Sequence, residues 1–311
     1  MNILITGGAG FGGSGLIRKL VEHGHKVTAL DIISPNSSYL VDLIDKGAIT
    51  YWWKAVHDVT PYDVEGMDVV CNFAAQADVP MGFTSPRWSG LENVNGTIQL
   101  LEAVRQVKIG KFIQPSTGNV FGRPVYLPID EKHPLTPHNP YSASKVAQEM
   151  YVWAYSRCYD IPVIVFRNGI VYGPGMRRDI FIYIWLKNLL QDKPIFIEGG
   201  KQTRDPCYVT DTVDAWATAV ESKDESLIGE AFQISKGDEY SVEEIADKIL
   251  SFFPQGVKVY KDYRPGEEGQ RECFDISKAK NMLGYAPKVG LDEGLKLLLE
   301  DMQNDYYSSK P

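Results

Sequence analysis

The segment Thr6-Gly7-Gly8-Ala9-Gly10-Phe11-Gly12-Gly13 constrains this chain more than any other. It follows the apolar run Asn2–Thr6 and precedes a stretch of helical period at residues 14–23, so it reads as strand, turn and helix. Gly7, Gly10 and Gly13 recur every third residue. Glycine at those places permits a tight turn, the approach of backbone N–H groups to a pyrophosphate, and close packing of helix on strand. No Gly-Lys-Ser/Thr follows, which disfavours a mononucleotide phosphate loop. A dinucleotide at the edge of a parallel sheet is the expectation, with Phe11 among the turn residues that meet it.

The rest of the first half agrees. Apolar β-branched runs alternate with helical segments, as in a doubly wound parallel sheet. Strands are expected at Lys26–Asp31, 68–73, 111–114 and 162–167, and long helices at 91–107 and 141–159. After about residue 168 the rhythm breaks at Gly173-Pro174-Gly175. A helix near 180–190, a turn at Gly199-Gly200 and a helix at 213–220 that returns to the sheet are expected next. Ser241-Val242-Glu243-Glu244 has the form of a capping box. A final amphipathic helix is expected near 291–302, and the tail 306–311 is expected to fray. The fold class is α/β: a Rossmann-type dinucleotide domain over 1–167, with a returning segment near 205–235, and a smaller C-terminal α/β substrate domain over 168–311.

Composition narrows the partners. The chain has 311 residues, 44% hydrophobic and 23% charged, which suits one large α/β unit or a nucleotide domain with a smaller companion. A net charge of -8 lacks the basic footprint that nucleic acid requires, although paired arginines can still hold a small anion. Cys71, Cys158, Cys207 and Cys273 form no CxxC, and the histidines form no HExxH, so no metal site and no disulfide framework are expected. The N-terminal residues lack the charged region of a signal peptide, and the apolar run at 180–186 is too short to span a bilayer. The expectation is a soluble protein of the cytosol with no membrane partner.

Asp31 ends the second strand, where a carboxylate accepts bonds from the adenosine ribose and repels a 2′-phosphate. No arginine or lysine lies at 32–40, so NAD is favoured over NADP. Asp58 and Val59 follow an expected third strand, where a side chain can reach the adenine amino group. Phe73, Ala74, Ala75 and Gln76 supply mostly small residues where a strand end passes the cofactor.

Tyr141 and Lys145 are four residues apart and project from one face of a helix. A tyrosine, with its ordinary pKa near 10, is a poor base at neutral pH, and a nearby ammonium favours its phenolate. An isolated pair of this kind is common on helix surfaces. The hydroxyls of Ser116 and Thr117 shift the balance, because they end a strand where ligands bind in open α/β sheets. One of them can polarise a reacting oxygen while the tyrosine takes its proton.

These residues resemble the extended short-chain dehydrogenase/reductase family, and within it the nucleotide-sugar epimerase/dehydratase branch. The resemblance covers Thr6–Gly13, Asp31, Asn93-Val94-Asn95-Gly96-Thr97, Ser116–Gly122, Tyr141–Lys145, Arg167-Asn168, Tyr172-Gly173-Pro174 and Arg204-Asp205. It implies that Tyr141 is the acid/base, Lys145 its partner and Thr117 the catalytic hydroxyl, with Ser116 beside it. It places Asn95 with the cofactor and Asn168, Arg204 and Arg264 with the sugar nucleotide. Two arginines on one diphosphate also make independent chemical sense. Gly175-Met176-Arg177-Arg178 resembles the loop of uronate-using members, where an arginine meets a sugar carboxylate. The resemblance also implies a homodimer, paired through the long helices at 91–107 and 141–159.

The chain departs from the family pattern at Gly12, Gly15, Asn72 and Phe121. The two glycines replace bulkier residues and are expected to loosen the pyrophosphate turn without removing a donor. Gly118-Asn119 departs more tellingly. Dehydratases and decarboxylases of the branch carry an acidic residue there, and its absence favours epimerisation. The reading is an NAD-dependent 4-epimerase of a nucleotide-diphosphate sugar, a UDP-hexose or UDP-hexuronate, working through a 4-keto sugar. A UDP-glucuronate decarboxylase, 4,6-dehydratase or 4-keto reductase of the branch is the first alternative. A non-catalytic dinucleotide sensor is the second.

Overall fold

The computed structural model describes residues 1–308. Its centre is a seven-stranded parallel sheet. The strands are β1 (Asn2–Thr6), β2 (Lys26–Asp31), β3 (Thr50–Trp53), β4 (Val69–Asn72), β5 (Lys111–Thr117), β6 (Val163–Asn168) and an edge strand, Glu230–Ile234. From that edge the order runs β6, β5, β4, β1, β2, β3. The winding reverses between β1 and β4, which opens a ligand crevice at their C-terminal ends.

Strand register sorts the side chains onto two faces, as the period of two requires. Leu4, Val70, Phe112, Val163 and Val165 pack under Leu100, Leu101, Val104 and Val152. Ile3, Ile5, Cys71, Ile113, Ile164 and Phe166 pack against Leu16, Ile17, Leu20, Trp216 and Val220 on the other face. Each fully buried Leu or Ile contributes roughly 1.5–3 kcal/mol, so both faces need helices, and the central strands read as unbroken apolar runs.

The helix α1 (Phe11–Glu22) lies against the returning helix Val209–Glu221. A Cβ on Gly12 would stand 3.0 Å from Trp216, and one on Gly15 would stand 3.0 Å from Val213. The two glycines therefore do not leave the turn loose. They admit the indole and the valine, and the second helix fills the space.

Several boundaries differ from expectation for physical reasons. The segment at 91–107 is a π turn, Leu91–Asn95, followed by the helix Gly96–Val104. β5 continues past Gln114 to Thr117, although Pro115 lacks an N–H. Pairing of Ser116 with Arg167 and Thr117 with Asn168 carries the strand onward. The edge strand Glu230–Ile234 was not anticipated, because its short sequence Glu-Ala-Phe-Gln-Ile gains strand character only beside β6. The capping box forms, with Ser241 N donating to Glu244 at 2.7 Å and Glu244 N to Ser241 Oγ at 3.1 Å. The last helix spans Leu291–Ser308, so residues 306–308 are helical rather than frayed, and 309–311 lie outside the described residues.

Beyond residue 168 a separate core joins Tyr172, Trp185, Ile195, Ile245, Leu295 and Leu298. The helix Ser277–Leu283 departs from the expected division, since Ala279 and Leu283 join the core on the sheet. Among the described residues no helix is long and apolar enough to cross a membrane, and no His, Cys, Asp and Glu cluster has the makings of a metal site.

Candidate active site

The helix Pro140–Tyr159 begins with Pro140 in its first turn and Asn139 as its cap, whose side chain accepts from Ser142 N at 2.8 Å. This start fixes Tyr141 and Lys145 beside the end of β5. Both are buried. Burial pushes the Tyr141 phenol up from its ordinary value, while the Arg177 guanidinium and the Thr117 hydroxyl pull it down. Thr117 in turn accepts from Asn119, both N and Nδ2, at 3.2 Å. Gly82 lets a preceding helix, Val79–Thr84, close on Tyr141, since a Cβ there would lie 3.0 Å from the tyrosine's own.

Lys145 donates to the Pro115 carbonyl at 3.0 Å and to the side-chain oxygen of Gln148. Burial lowers its pKa to about 8, opposed by the Glu149 carboxylate. Ser116 is turned inward: its hydroxyl donates to Glu149, which also receives Arg167 Nη2 at 2.9 Å. Glu149 and Arg167 form a buried ion pair that pins this helix to β5 and β6. Asn168 is likewise committed inside, donating to the Ser116 carbonyl at 3.1 Å and accepting from Trp216 Nε1 at 3.2 Å.

The glycine turn suits a dinucleotide. Gly7 has φ of +65°, and a Cβ on it would fall 2.5 Å from the Phe73 backbone, so only glycine lets β1 and β4 approach. α1 has no side-chain cap and no acid in its first turn, which leaves its leading amides open to a pyrophosphate. Gly10 and Gly13 complete that turn, and Phe11 opens the helix. The Asp31 carboxylate is held beside the turn by Ala9 N at 2.9 Å and Ile33 N at 3.0 Å. Asp58 is exposed past β3, whereas Val59 is buried and its carbonyl accepts from Gln99 at 2.8 Å. Phe73 meets Trp216 edge-on at 4.9 Å, and Ala74 N donates to Thr6 Oγ1 at 3.3 Å. Ala75 is exposed; Gln76 is buried among Asp78, Ser89 and Asn93. Asn95 is exposed. The π turn brings Asn93 inward instead, where it donates to Gln76 O at 3.0 Å and to Ser144 Oγ at 2.8 Å.

Arg204 and Arg264 line one cleft with Phe181, Trp185, Phe196 and Gln202. Arg204 is buried between Glu267 at 3.3 Å and Glu272 at 3.7 Å. Arg264 is more exposed and pairs with Glu198. His138, three residues before the tyrosine, accepts from Gln270 at 2.9 Å and so ties the loop that carries Arg264 and Glu267 to the start of the helix Pro140–Tyr159. Arg177 pairs with Asp179 and donates to the Ala77 carbonyl.

Sequence reasoning gave no individual role to Asn93, Gln148, Glu149, Arg167 or Trp216. Glu149 and Gln148 carried a legible signal, since residues three and four beyond Lys145 lie on its side of the helix. Trp216 did not, because its role depends on glycines two hundred residues away.

A parallel sheet with a glycine turn at its switch point, and a buried tyrosine and lysine beside a threonine, defines a dinucleotide-dependent enzyme of the Rossmann type. The chain belongs to the NAD dependent epimerase/dehydratase family, whose model matches residues 3–235. A putative UDP-glucose 4-epimerase of Methanocaldococcus jannaschii is 37% identical, with 97% of this chain and 99% of the relative covered. A dTDP-D-glucose 4,6-dehydratase of Homo sapiens is 29% identical, covering 99% and 91%. The crystal structure of a UDP-glucuronic acid 4-epimerase from Bacillus cereus, in complex with UDP-glucuronic acid and NAD, superposes with a TM-score of 0.92 at 29% identity, covering 98% of this chain and 100% of that one. NAD is the cofactor of the family, and the glycine turn and Asp31 fit it.

Proposed function

We propose that this protein is an NAD-dependent 4-epimerase of a UDP-sugar, a UDP-hexose or UDP-hexuronate. The observation that carries the proposal is the buried Tyr141 facing Thr117 and Arg177, beside a position, Gly118, that has no room for an acid. NAD, held by Gly7, Gly10, Phe11, Gly13 and Asp31, supplies a hydride acceptor and donor. Tyr141 takes the proton of the sugar's C4 hydroxyl as a 4-keto sugar forms, and returns it after the sugar has turned over. Thr117 bonds the reacting oxygen. Arg204 and Arg264 hold the diphosphate while the sugar rotates, and Arg177 faces a C6 carboxylate when the substrate is a uronate.

The proposed division of labour gives dinucleotide binding mainly to 1–167 and the sugar nucleotide mainly to 168–311. Elimination and decarboxylation in this family draw on a carboxylate next to Thr117, and Gly118-Asn119 supplies none. A binding-only role leaves the buried tyrosine, lysine and threonine unexplained. Met150 and Tyr151 are exposed on the catalytic helix and support the proposal of a homodimer through that face.

Incubation with UDP-glucose, UDP-galactose, UDP-glucuronate and UDP-galacturonate tests the reading. One sugar pair should interconvert with no net NADH. Inactivity on all four, or steady NADH release, contradicts it.

A further inference from the structure

Lys145 closes a buried ring of hydrogen bonds. Its ammonium donates to Pro115 O at 3.0 Å and to Gln148 Oε1. Gln148 Nε2 donates to Thr97 Oγ1 at 2.6 Å, and Asn72 Nδ2 reaches the same oxygen at 2.9 Å. Asn72 Nδ2 also donates to Gln114 Oε1 at 3.0 Å, and Gln114 Nε2 returns to Pro115 O at 2.8 Å. Thr6 locks the ring to β1 by donating to Asn72 Oδ1 at 2.9 Å. Every side chain in the ring is buried.

The direction of these bonds matters. With both Asn72 N–H donors and its oxygen engaged, its amide has one orientation that satisfies its partners. The Gln148 amide is then oriented with N–H₂ toward Thr97 and oxygen toward Lys145. An acceptor aimed at a buried ammonium favours the charged form, against the desolvation that disfavours it.

We propose that Gln148, fixed by Thr97 and Asn72, is a positioning residue that keeps Lys145 charged beside Tyr141 and so sets the pH range in which the tyrosine acts as a base. This rests on the reading of Tyr141 as the base. The charged groups around the lysine are few. Glu149 lies one turn on and is held by Arg167 of β6, while Tyr141 lies one turn back and is faced by Arg177. β1, β4 and the helix Gly96–Val104 contribute only the neutral Thr6, Asn72 and Thr97. Gln148 therefore sets the lysine's charge without adding a charge of its own.

The test uses the NAD-bound protein carrying Gln148→Met or, separately, Thr97→Val. The phenolate absorbance that Tyr141→Phe removes is titrated with pH, which needs no substrate, and kcat and KM are measured across pH. With Gln148→Met the tyrosine's pKa should rise by about one unit, and the alkaline fall in kcat should move about one unit lower. At pH 8 kcat should drop about tenfold while KM stays within about twofold. Thr97→Val, which unfixes the amide without touching the lysine, should shift both in the same direction by less. Gln148→Glu should move the alkaline fall upward instead.

An unchanged tyrosine titration in folded Gln148→Met overturns the inference, as does a loss of kcat with no change in pH profile. If Gln148→Met does not fold, Thr97→Val decides alone, and an unshifted titration there overturns it equally. Absence of turnover on every nucleotide sugar contradicts the proposed function, while the titration still decides the role of Gln148.

Discussion

The ring of Phe274 occupies the space that any side chain at Gly118 would need: a Cβ built on the glycine collides with the ring's tip. Gly118 follows Thr117 directly, in the turn that ends β5. Phe274 is buried against Phe121, with ring centres 6.2 Å apart, and comes from the C-terminal third of the chain. The absence of a side chain at Gly118 is thus built into the packing.

Replacement of Gly118 by aspartate should therefore destabilise the fold by about 1–3 kcal/mol, the usual cost of overpacking. It should not create dehydratase activity, because the carboxylate and the phenyl ring cannot share the site. Phe274→Ala should cost about 3–5 kcal/mol through the cavity it leaves. Urea unfolding measures both, and Gly118→Asp at wild-type stability would contradict the packing argument.

Arg204 and Arg264 should separate cleanly. Either change to alanine should raise KM for the nucleotide sugar roughly tenfold or more, from loss of a charge-assisted bond worth about 1.5–3 kcal/mol. Only Arg204→Ala should also lower the melting temperature, since it strands Glu272, whose carboxyl burial already pushes upward. Arg264 is partly exposed and its loss should leave stability unchanged. Steady-state kinetics with thermal melts distinguish the two.

Lys145 gives a stability signature with a defined sign. Its pKa falls from 10.5 to about 8 on folding. Between those values the unfolded chain binds more protons than the folded one, so stability rises with pH. Below pH 8 both states are protonated and the penalty of the buried charge is fully present. Wild-type protein should gain stability relative to Lys145→Met as pH rises from about 8 to 10.5, and equal pH slopes would contradict the burial argument.

Much of the fold was legible in the sequence because it rests on local rules. The glycine turn, the alternation of apolar runs and helical segments, and the Ser241 capping box each follow from residues close together in the chain. The placement of the candidate residues was legible for the same reason, as Tyr141 and Lys145 share a helix face and Thr117 ends a strand. The parts that escaped depend on distant partners. Ser116 and Asn168 read as ligand contacts, yet their side chains bond inward, to Glu149 and Trp216. Asn93 rather than Asn95 faces the interior because a π turn changes the register. Gly12 and Gly15 read as a loose turn, yet Trp216 and Val213 fill the space beside them.

In the proposed reaction Tyr141 serves as the base for a reversible oxidation at C4 of one bound sugar. The most direct measurement follows a UDP-hexose or UDP-hexuronate deuterated at C4 through turnover by the wild type, with Tyr141→Phe as control. The expected product is a C4 epimer of unchanged mass that keeps its deuterium at C4, formed at least about a hundredfold more slowly in the control. A product lighter by water or carbon dioxide, or equal turnover by Tyr141→Phe, would contradict it.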